Sequence, residues 1–444
     1  MTGRLDWVAN AGGPLRGDVA VPGDKSVSHR ALMLGAIAEG TTRIRGLLEG
    51  EDTLATARIV AQLGVGIARS GGGEYAVDGV GLHGLRPAPA PLDCGNAGTA
   101  MRLFAGMLAG QGFRSTLVGD ASLTRRPMRR VIEPLARMGA RIEADGGDRP
   151  PLTIHITNSL QSIEYSTEVA SAQVKSAILL AGLYARGETR VREPHPTRDY
   201  TEAMLRAFGA AIRFAPGEAA ITGGSRLRAI DVDVPADFSS AAFFLVAASV
   251  VPGSEVRLRG VGVDPRRTGL LEVLRGMGAD IRLENPRDTG GFAVADLVVR
   301  ASRLHGIEVP AALVPDMIDE FPVLFVAAAL ASGTTVVRGA AELRVKESDR
   351  IATMGAALRA MGAEVIETPD GAVIRGGRPL RGAEVDAHGD HRVAMAIAVA
   401  AQCAAGTTLI SDCANVETSF PGFAARAAAA GFGLAPGFPA AGLG

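Results

Sequence analysis

Cysteine is scarce in this chain. Cys94, Cys403 and Cys413 are the only three in 444 residues. An odd, sparse set does not make a disulfide framework, so a reducing compartment is expected. Aromatic residues make up only 4%, so the apolar mass is mostly Ala, Val, Leu and Ile. Long apolar runs are missing too. The longest, Ala241 to Val251 with its flanks, falls short of the roughly 20 residues that a membrane span needs. The first ten residues, MTGRLDWVAN, lack the apolar stretch of a signal peptide, and a cytoplasmic protein is expected. There is no surplus of charge: 46 basic residues face 47 acidic ones. That balance excludes a general nucleic-acid or membrane surface, though not a local basic pocket. No GxGxxG follows a strand and no GxxxxGK[ST] occurs, which removes those routes to nucleotide binding. His388 and His391 stand three apart without the companions of a zinc signature, so no metal is expected. Cys94, beside a Gly-rich turn, reads as a packed apolar residue rather than a nucleophile.

What the chain does have is repetition, and a length that suggests two or three domains. A helix end of the type LRxMGAxI recurs with its glycine at Gly64, Gly139, Gly209, Gly278 and Gly362, and more weakly at Gly431. By subtraction these lie 69 to 84 residues apart. Glycine after a helical run supplies the left-handed position that ends a helix, and the β-branched residues behind it start a strand. A second pattern runs in phase: an Ala-rich stretch, then Gly, then an alternating strand, as in RALMLGAIAEGTTRIRG and FPVLFVAAALASGTTVVRG. Such a stretch is apolar on nearly every side, so it reads as a buried helix. Each unit of about 70 residues therefore holds a buried helix, a strand, an amphipathic helix and a further strand. Several such units are expected to pack around shared buried helices.

The polar residues collect just before the buried helices. The six starts read GDKSVSHR from Gly23, CGNAGTAMR from Cys94, ASAQVK from Ala170, ADFSS from Ala236, MIDEFP from Met317 and HGDHR from His388. Unpaired N–H groups and the dipole make a helix start attractive to anions. Asp24, Ser171, Asp237 and Asp319 are all good capping types, and ordinary capping explains part of the pattern. It does not explain why Lys25, Arg30, Arg102 and Arg392 crowd the positive end of a dipole. A bound anion would. Arg126, Arg198, Lys346 and Arg350 lie between the units and can join them. RVKESDR, Arg344 to Arg350, reads either as a solvated loop or as a site loop directly behind a repeat strand.

With these residues in view, the chain resembles the 5-enolpyruvylshikimate-3-phosphate synthases. The matching stretches are VPGDKSVSHRA, GNAGTAMRL, RRPM, ASAQVKSA, PTRDYTE, IDEFPVL, LRVKESDR and GDHRVAMA, in order from Val21 to Ala396. The resemblance implies an α/β fold of two similar domains, an inside-out α/β barrel in which each domain has three βαβαββ units around buried helices. Residues 1–21 and 235–444 would form one domain and 22–234 the other, with the substrate cleft between them closing on hinges near Val21 and Val234–Ala236. It implies a transferase of the shikimate pathway to chorismate and the aromatic amino acids, one that moves the enolpyruvyl group of phosphoenolpyruvate to the 5-hydroxyl of shikimate 3-phosphate. No cofactor, metal, nucleic acid or membrane partner is implied, and a monomer is expected.

Carried over position by position, the resemblance assigns Lys25, Asn96, Gly98, Arg126, Gln173, Glu347, Arg350 and Arg392 to phosphoenolpyruvate. It assigns Lys25, Ser26, Arg30, Ser171, Ala172, Gln173, Arg198, Asp319 and Lys346 to shikimate 3-phosphate, with His391 lining the site. Asp319, Glu347 and Lys25 would be catalytic. Asp319, not Asp316, aligns with the family's catalytic aspartate because it stands before EFPVL. Two departures matter. Thr418 in ETSFPGF replaces a lysine that many members carry, and Ser171-Ala172-Gln173 replaces a form with two serines. Both, with Arg198, resemble the branch often tolerant to glyphosate. The rival readings are a UDP-N-acetylglucosamine enolpyruvyl transferase, which shares the fold but lacks GDKSVSHR and GNAGTAMR, and a non-catalytic anion-binding repeat protein.

Overall fold

The structure is a computed structural model that describes residues 5–157 and 159–437. Twelve α-helices alternate between two kinds in these residues. The odd-numbered ones are α1 (Lys25–Ile37), α3 (Gly98–Ala109), α5 (Ala172–Gly182), α7 (Phe238–Val250), α9 (Phe321–Leu330) and α11 (His391–Ala401). They are buried along nearly their whole length, as sequences apolar on every side require. The even-numbered ones are α2 (Glu51–Gln62), α4 (Arg129–Arg137), α6 (Tyr200–Ala207), α8 (Gly269–Gly276), α10 (Arg350–Ala360) and α12 (Phe423–Ala430). Each buries one face only.

The repeat glycines do what the pattern asks. Gly64, Gly139, Gly209, Gly278, Gly362 and Gly431 follow the six amphipathic helices with φ from 89° to 117°. An added Cβ would be strained at each, so this left-handed turn is what the sequence repeat encodes.

The chain divides into two compact units. One comprises Met1–Pro22, Ala236–Asp288 and Phe292–Gly444; the other comprises Gly23–Pro235 and Thr289–Gly291. In the second unit three sheets share one strand order. Glu39–Arg45 pairs in parallel with Val232–Asp233 and antiparallel with Glu74–Val80, which pairs antiparallel with Gly66–Gly71. Ser115–Val118 and Glu188–Arg192 occupy the same place in the other two sheets. In the first unit the sheet around Thr408–Ser411 takes its middle strand from the start of the chain: Asp6–Asn10 lies between Thr408–Ser411 and Gly433–Gly437. The core of this unit is built from α7, α9 and α11, with Trp7 stacked on Phe423 at 5.6 Å between ring centres. At the polar starts of the buried helices, Lys25, Ser26, Asn96, Ser171, Gln173 and Asp319 are half-buried. Among the described residues no helix is long and apolar enough to cross a membrane.

Candidate active site

In the unit that begins at Gly23, three helix starts carry the assigned residues. Asp24 caps α1 by accepting from the Val27 amide at 2.9 Å. The next residue, Lys25, reaches across to α2, where its ammonium meets Asp52 at 2.9 Å. Ser26 is half-buried beside it. Arg30 points inward. Its Nε donates to Thr201 Oγ1 at 2.6 Å, and its two Nη atoms donate to the Ser26 carbonyl and Ser176 Oγ. Burial first, and then the charge of Arg198, pull Arg30 down to about 10. His29 is held well below its ordinary value by burial and by the charges of Lys25 and Arg30. Burial is the leading cause of both shifts, with neighbouring cations second.

At α3 the cations are held by amides. Arg126 Nη2 donates to Asn96 Oδ1 at 2.5 Å, and Asn96 Nδ2 donates to Asp120 at 2.7 Å. Arg102 Nη1 donates to Gln173 Oε1 at 2.7 Å, while Gln173 Nε2 donates to Thr99 Oγ1 at 2.8 Å. Gly98 sits between them. A Cβ there would stand 3.0 Å from Arg102 Nη1 and 3.1 Å from Arg126 Nη1, so the missing methyl leaves room for two guanidinium groups. Ser171 caps α5, accepting from Val174 N at 3.5 Å, with Ala172 and Gln173 in the first turn. Arg198 stands two residues before α6.

In the other unit the same kind of helix start is crowded with carboxylates. Asp237 caps α7 through the Ser239 and Ser240 amides and accepts from Arg267 at 3.0 Å. Asp319 does not cap α9; Glu320 holds that position without a side-chain cap. Asp319 instead faces Lys346 at 3.7 Å, Arg350 at 3.7 Å and Arg267 at 3.8 Å. Glu320 is fully buried, accepting from Ser239 Oγ and from Arg267 Nη1 at 3.1 Å. Asp316 turns away, to Arg266 at 3.3 Å.

RVKESDR is not a solvated loop. Arg344 ties it to the Thr368 and Pro369 carbonyls, Asp349 caps α10, and Arg350 opens that helix fully buried. Arg350 donates to Asp390 at 2.9 Å and to Glu347 at 2.5 Å. Burial alone would pull Arg350 down, but Asp390, Glu347 and Asp319 outweigh it and push it up. Its Nη1, 3.7 Å from Asp319, is buried and hydrogen bonds to no described residue. Asp390 also accepts from the Arg392 amide, and Arg392 Nη1 donates to the Asp319 carbonyl at 3.0 Å. His391 opens α11 and is buried.

A family model described as EPSP synthase (3-phosphoshikimate 1-carboxyvinyltransferase) matches residues 9–426. The chain belongs to the EPSP synthase family. It is 62% identical over 428 residues to the 3-phosphoshikimate 1-carboxyvinyltransferase of Xanthomonas campestris pv. campestris strain B100, covering 96% of this chain and 98% of the relative. The protein of the same name from Xanthomonas oryzae pv. oryzae strain PXO99A is 61% identical, with 96% and 97% covered. A solved EPSP synthase structure from Acinetobacter baumannii superposes with a TM-score of 0.88 at 47% identity, covering 98% of this chain and all of that one. The fold is therefore the α/β enolpyruvyl transferase fold of that family.

Within this EPSP synthase family member, sequence reasoning missed the partners of the assigned residues. Asp52 and Arg267 lie in no quoted motif. Glu320 inside IDEFPVL and Asp390 inside GDHR carry no role of their own there. The available signal was a carboxylate or arginine within or beside a segment that must be buried, where an isolated charge is costly. Thr418 ends a short 3₁₀ turn and donates to the Asn415 carbonyl at 2.6 Å. Cys94 is buried, and burial and the nearby Asp93 and Asp52 push its thiol up, away from the thiolate a nucleophile needs.

Proposed function

We propose that this chain transfers the enolpyruvyl group of phosphoenolpyruvate to the 5-hydroxyl of shikimate 3-phosphate and releases phosphate. The relatives' name describes that transfer, and identity above 60% across nearly the whole chain supports carrying it over. The observation that carries the mechanism is Asp319. It stands among three cations, beside an Arg350 N–H that hydrogen bonds to no described residue.

The reaction is an addition followed by an elimination. The 5-hydroxyl oxygen bonds to C2 of phosphoenolpyruvate and gives its proton to Asp319, while Glu347 protonates C3. In the tetrahedral adduct the bond from C2 to the phosphate oxygen then breaks, Glu347 takes a proton back from C3 as the double bond is restored, and the proton held by Asp319 leaves on the phosphate. Lys25, Arg126, Arg350 and Arg392 bind the phosphate and carboxylate of phosphoenolpyruvate and stabilise the charge that develops as phosphate leaves. Asn96, Gly98 and Gln173 border that ligand. Ser26, Arg30, Ser171, Ala172, Gln173, Arg198 and Lys346 hold shikimate 3-phosphate, the serines and Gln173 by hydrogen bonds and the α5 start by its free amides. Arg30 acts chiefly from beneath, since its hydrogen bonds to Thr201, Ser176 and the Ser26 carbonyl fix it inside the fold. No electron is transferred and no group is parked on a carrier, so the chemistry balances without a cofactor. The reading includes a cytoplasmic, monomeric enzyme.

The test is release of phosphate from phosphoenolpyruvate, followed with shikimate 3-phosphate, with UDP-N-acetylglucosamine, and with neither. Release only with shikimate 3-phosphate is expected. Release with the sugar nucleotide, or none with either acceptor, would end the reading.

A further inference from the structure

Lys175 lies on α5, one turn beyond Ser171, with its side chain 4% exposed. It is buried without facing any residue assigned to substrate. Its ammonium meets Glu193 at 2.7 Å, Glu202 at 2.9 Å and the Thr197 carbonyl at 3.4 Å. An ammonium has three N–H donors, and here each has an acceptor. All three acceptors belong to one stretch of chain. Glu193 directly follows the strand Glu188–Arg192, Thr197 lies in the loop, and Glu202 is on α6. Arg198 is the residue next to Thr197. Glu193 is itself tied to the loop, because Thr197 Oγ1 donates to its Oε1 at 2.6 Å. Beyond the loop, Thr201 Oγ1 contacts Ser176 Oγ at 2.6 Å and accepts from Arg30. The loop that carries Arg198 is thus pinned at its beginning, within it and at its end.

We propose that Lys175 is a positioning residue that locks the Arg198 loop onto the start of α5, so that Arg198 and the Ser171–Gln173 turn meet shikimate 3-phosphate as one preformed surface. This rests on the role of Arg198 proposed above. Burying two carboxylates around one ammonium is poor economy if stability is the only return, since apolar residues of similar volume usually hold a fold as well. What apolar packing cannot do is fix a loop at three points with the directionality of hydrogen bonds. The ammonium is kept charged: burial would pull Lys175 down, but Glu202 and Glu193 outweigh it. A loop held in this way does not have to be ordered by the ligand, and the affinity that ordering would cost is retained.

The experiment is steady-state kinetics on a charge-balanced variant, Lys175→Met with Glu193→Gln and Glu202→Gln, made in the wild type and in Arg198→Ala. In the wild type the triple change should raise KM for shikimate 3-phosphate about tenfold or more. KM for phosphoenolpyruvate and kcat should stay within about threefold. In Arg198→Ala the same triple change should add less than about twofold, because the residue it positions is already gone. An unchanged KM for shikimate 3-phosphate, or a full effect that persists without Arg198, would overturn the proposal and leave the triad as structure alone. If Arg198→Ala itself leaves that KM unchanged, the assigned role of Arg198 fails and the pin has nothing to position. The single variants separate these two failures. Should the triple variant not fold, Thr197→Val decides. It removes the loop's hydroxyl tie and no charge: a rise in the same KM of about threefold supports the pin, and no rise refutes it.

Discussion

The helix starts of the two units differ in what surrounds their buried cations. At α1, burial first and then Lys25 and Arg30 hold His29 down, and burial and then Arg198 hold Arg30 down. At α10, Arg350, though fully buried, is pushed up by Asp390, Glu347 and Asp319. In the unit that begins at Gly23, Arg126 and Arg102 donate to the amide oxygens of Asn96 and Gln173, while Lys25 meets Asp52 and Lys175 meets Glu193 and Glu202. Arg267 and Arg350 donate to carboxylates. One repeat architecture thus surrounds its helix starts with different partners in the two units.

The comparison breaks most sharply at the carboxylates. Asp319→Asn and Glu347→Gln should each lower turnover about 10²-fold or more, within the range general acid–base groups supply. Thermal unfolding should show both variants folded. Near-normal turnover in either would return that residue to a purely structural role.

Next in size is a stability difference between the units. Arg267→Met leaves Asp237 and the buried Glu320 without their shared cation, and a buried pair broken from one side costs about 3–5 kcal/mol. Arg126→Gln, which alters the bonds to the Asn96 amide and Ser122 Oγ, should cost about 1–2 kcal/mol and act mainly on KM for phosphoenolpyruvate. Denaturant titration of the two variants measures the contrast. Equal losses would mean that burial of the carboxylates around Arg267 has no structural consequence.

A smaller effect sharpens the account of the unit that begins at Gly23. Gly98→Ala sets a methyl 3.0–3.1 Å from Arg102 and Arg126. Both contacts are with the far ends of flexible side chains, which can give way, so the fold should survive while the guanidiniums shift. KM for phosphoenolpyruvate should rise by about tenfold or less. Glyphosate should compete with phosphoenolpyruvate, and the variant should be less sensitive to it. Coincident inhibition curves near the KM of each enzyme would discount position 98.

The smallest expected effect is on acid stability. His29 is neutral in the fold because burial, Lys25 and Arg30 hold it down, whereas in the unfolded chain it titrates near the ordinary histidine value of 6.5. Its contribution is therefore complete above pH 6.5 and is lost as pH falls below that toward the folded value. The slope cannot exceed about 1.4 kcal/mol per pH unit from this one group. His29→Asn should flatten the stability profile between about pH 6.5 and 5. An unaltered profile would mean that burial and its two cationic neighbours do not keep His29 neutral.

Periodicity alone made the alternation of buried and amphipathic helices legible, because both the 3.6-residue pattern and the glycine that ends each second helix are local properties. The six starts of the buried helices, and with them the places of Lys25, Asn96, Gly98, Gln173 and Arg392, could be read for the same reason, whereas Arg350 opens the amphipathic helix α10. Capping could be read only as a type. Asp24, Ser171 and Asp237 do cap, while Asp319 stands one residue short and faces cations instead. Which side chains answer those residues was left to the tertiary structure. Asp52 lies 27 positions from Lys25, Asp390 lies 40 from Arg350, and Arg267 lies 53 from Glu320. No local pattern joins partners so far apart along the chain; only the packing of helices within a repeat, as for Lys25 and Asp52, or of one repeat against the next, as for the other two pairs, sets them within hydrogen-bonding distance, and burial then makes each pairing obligatory.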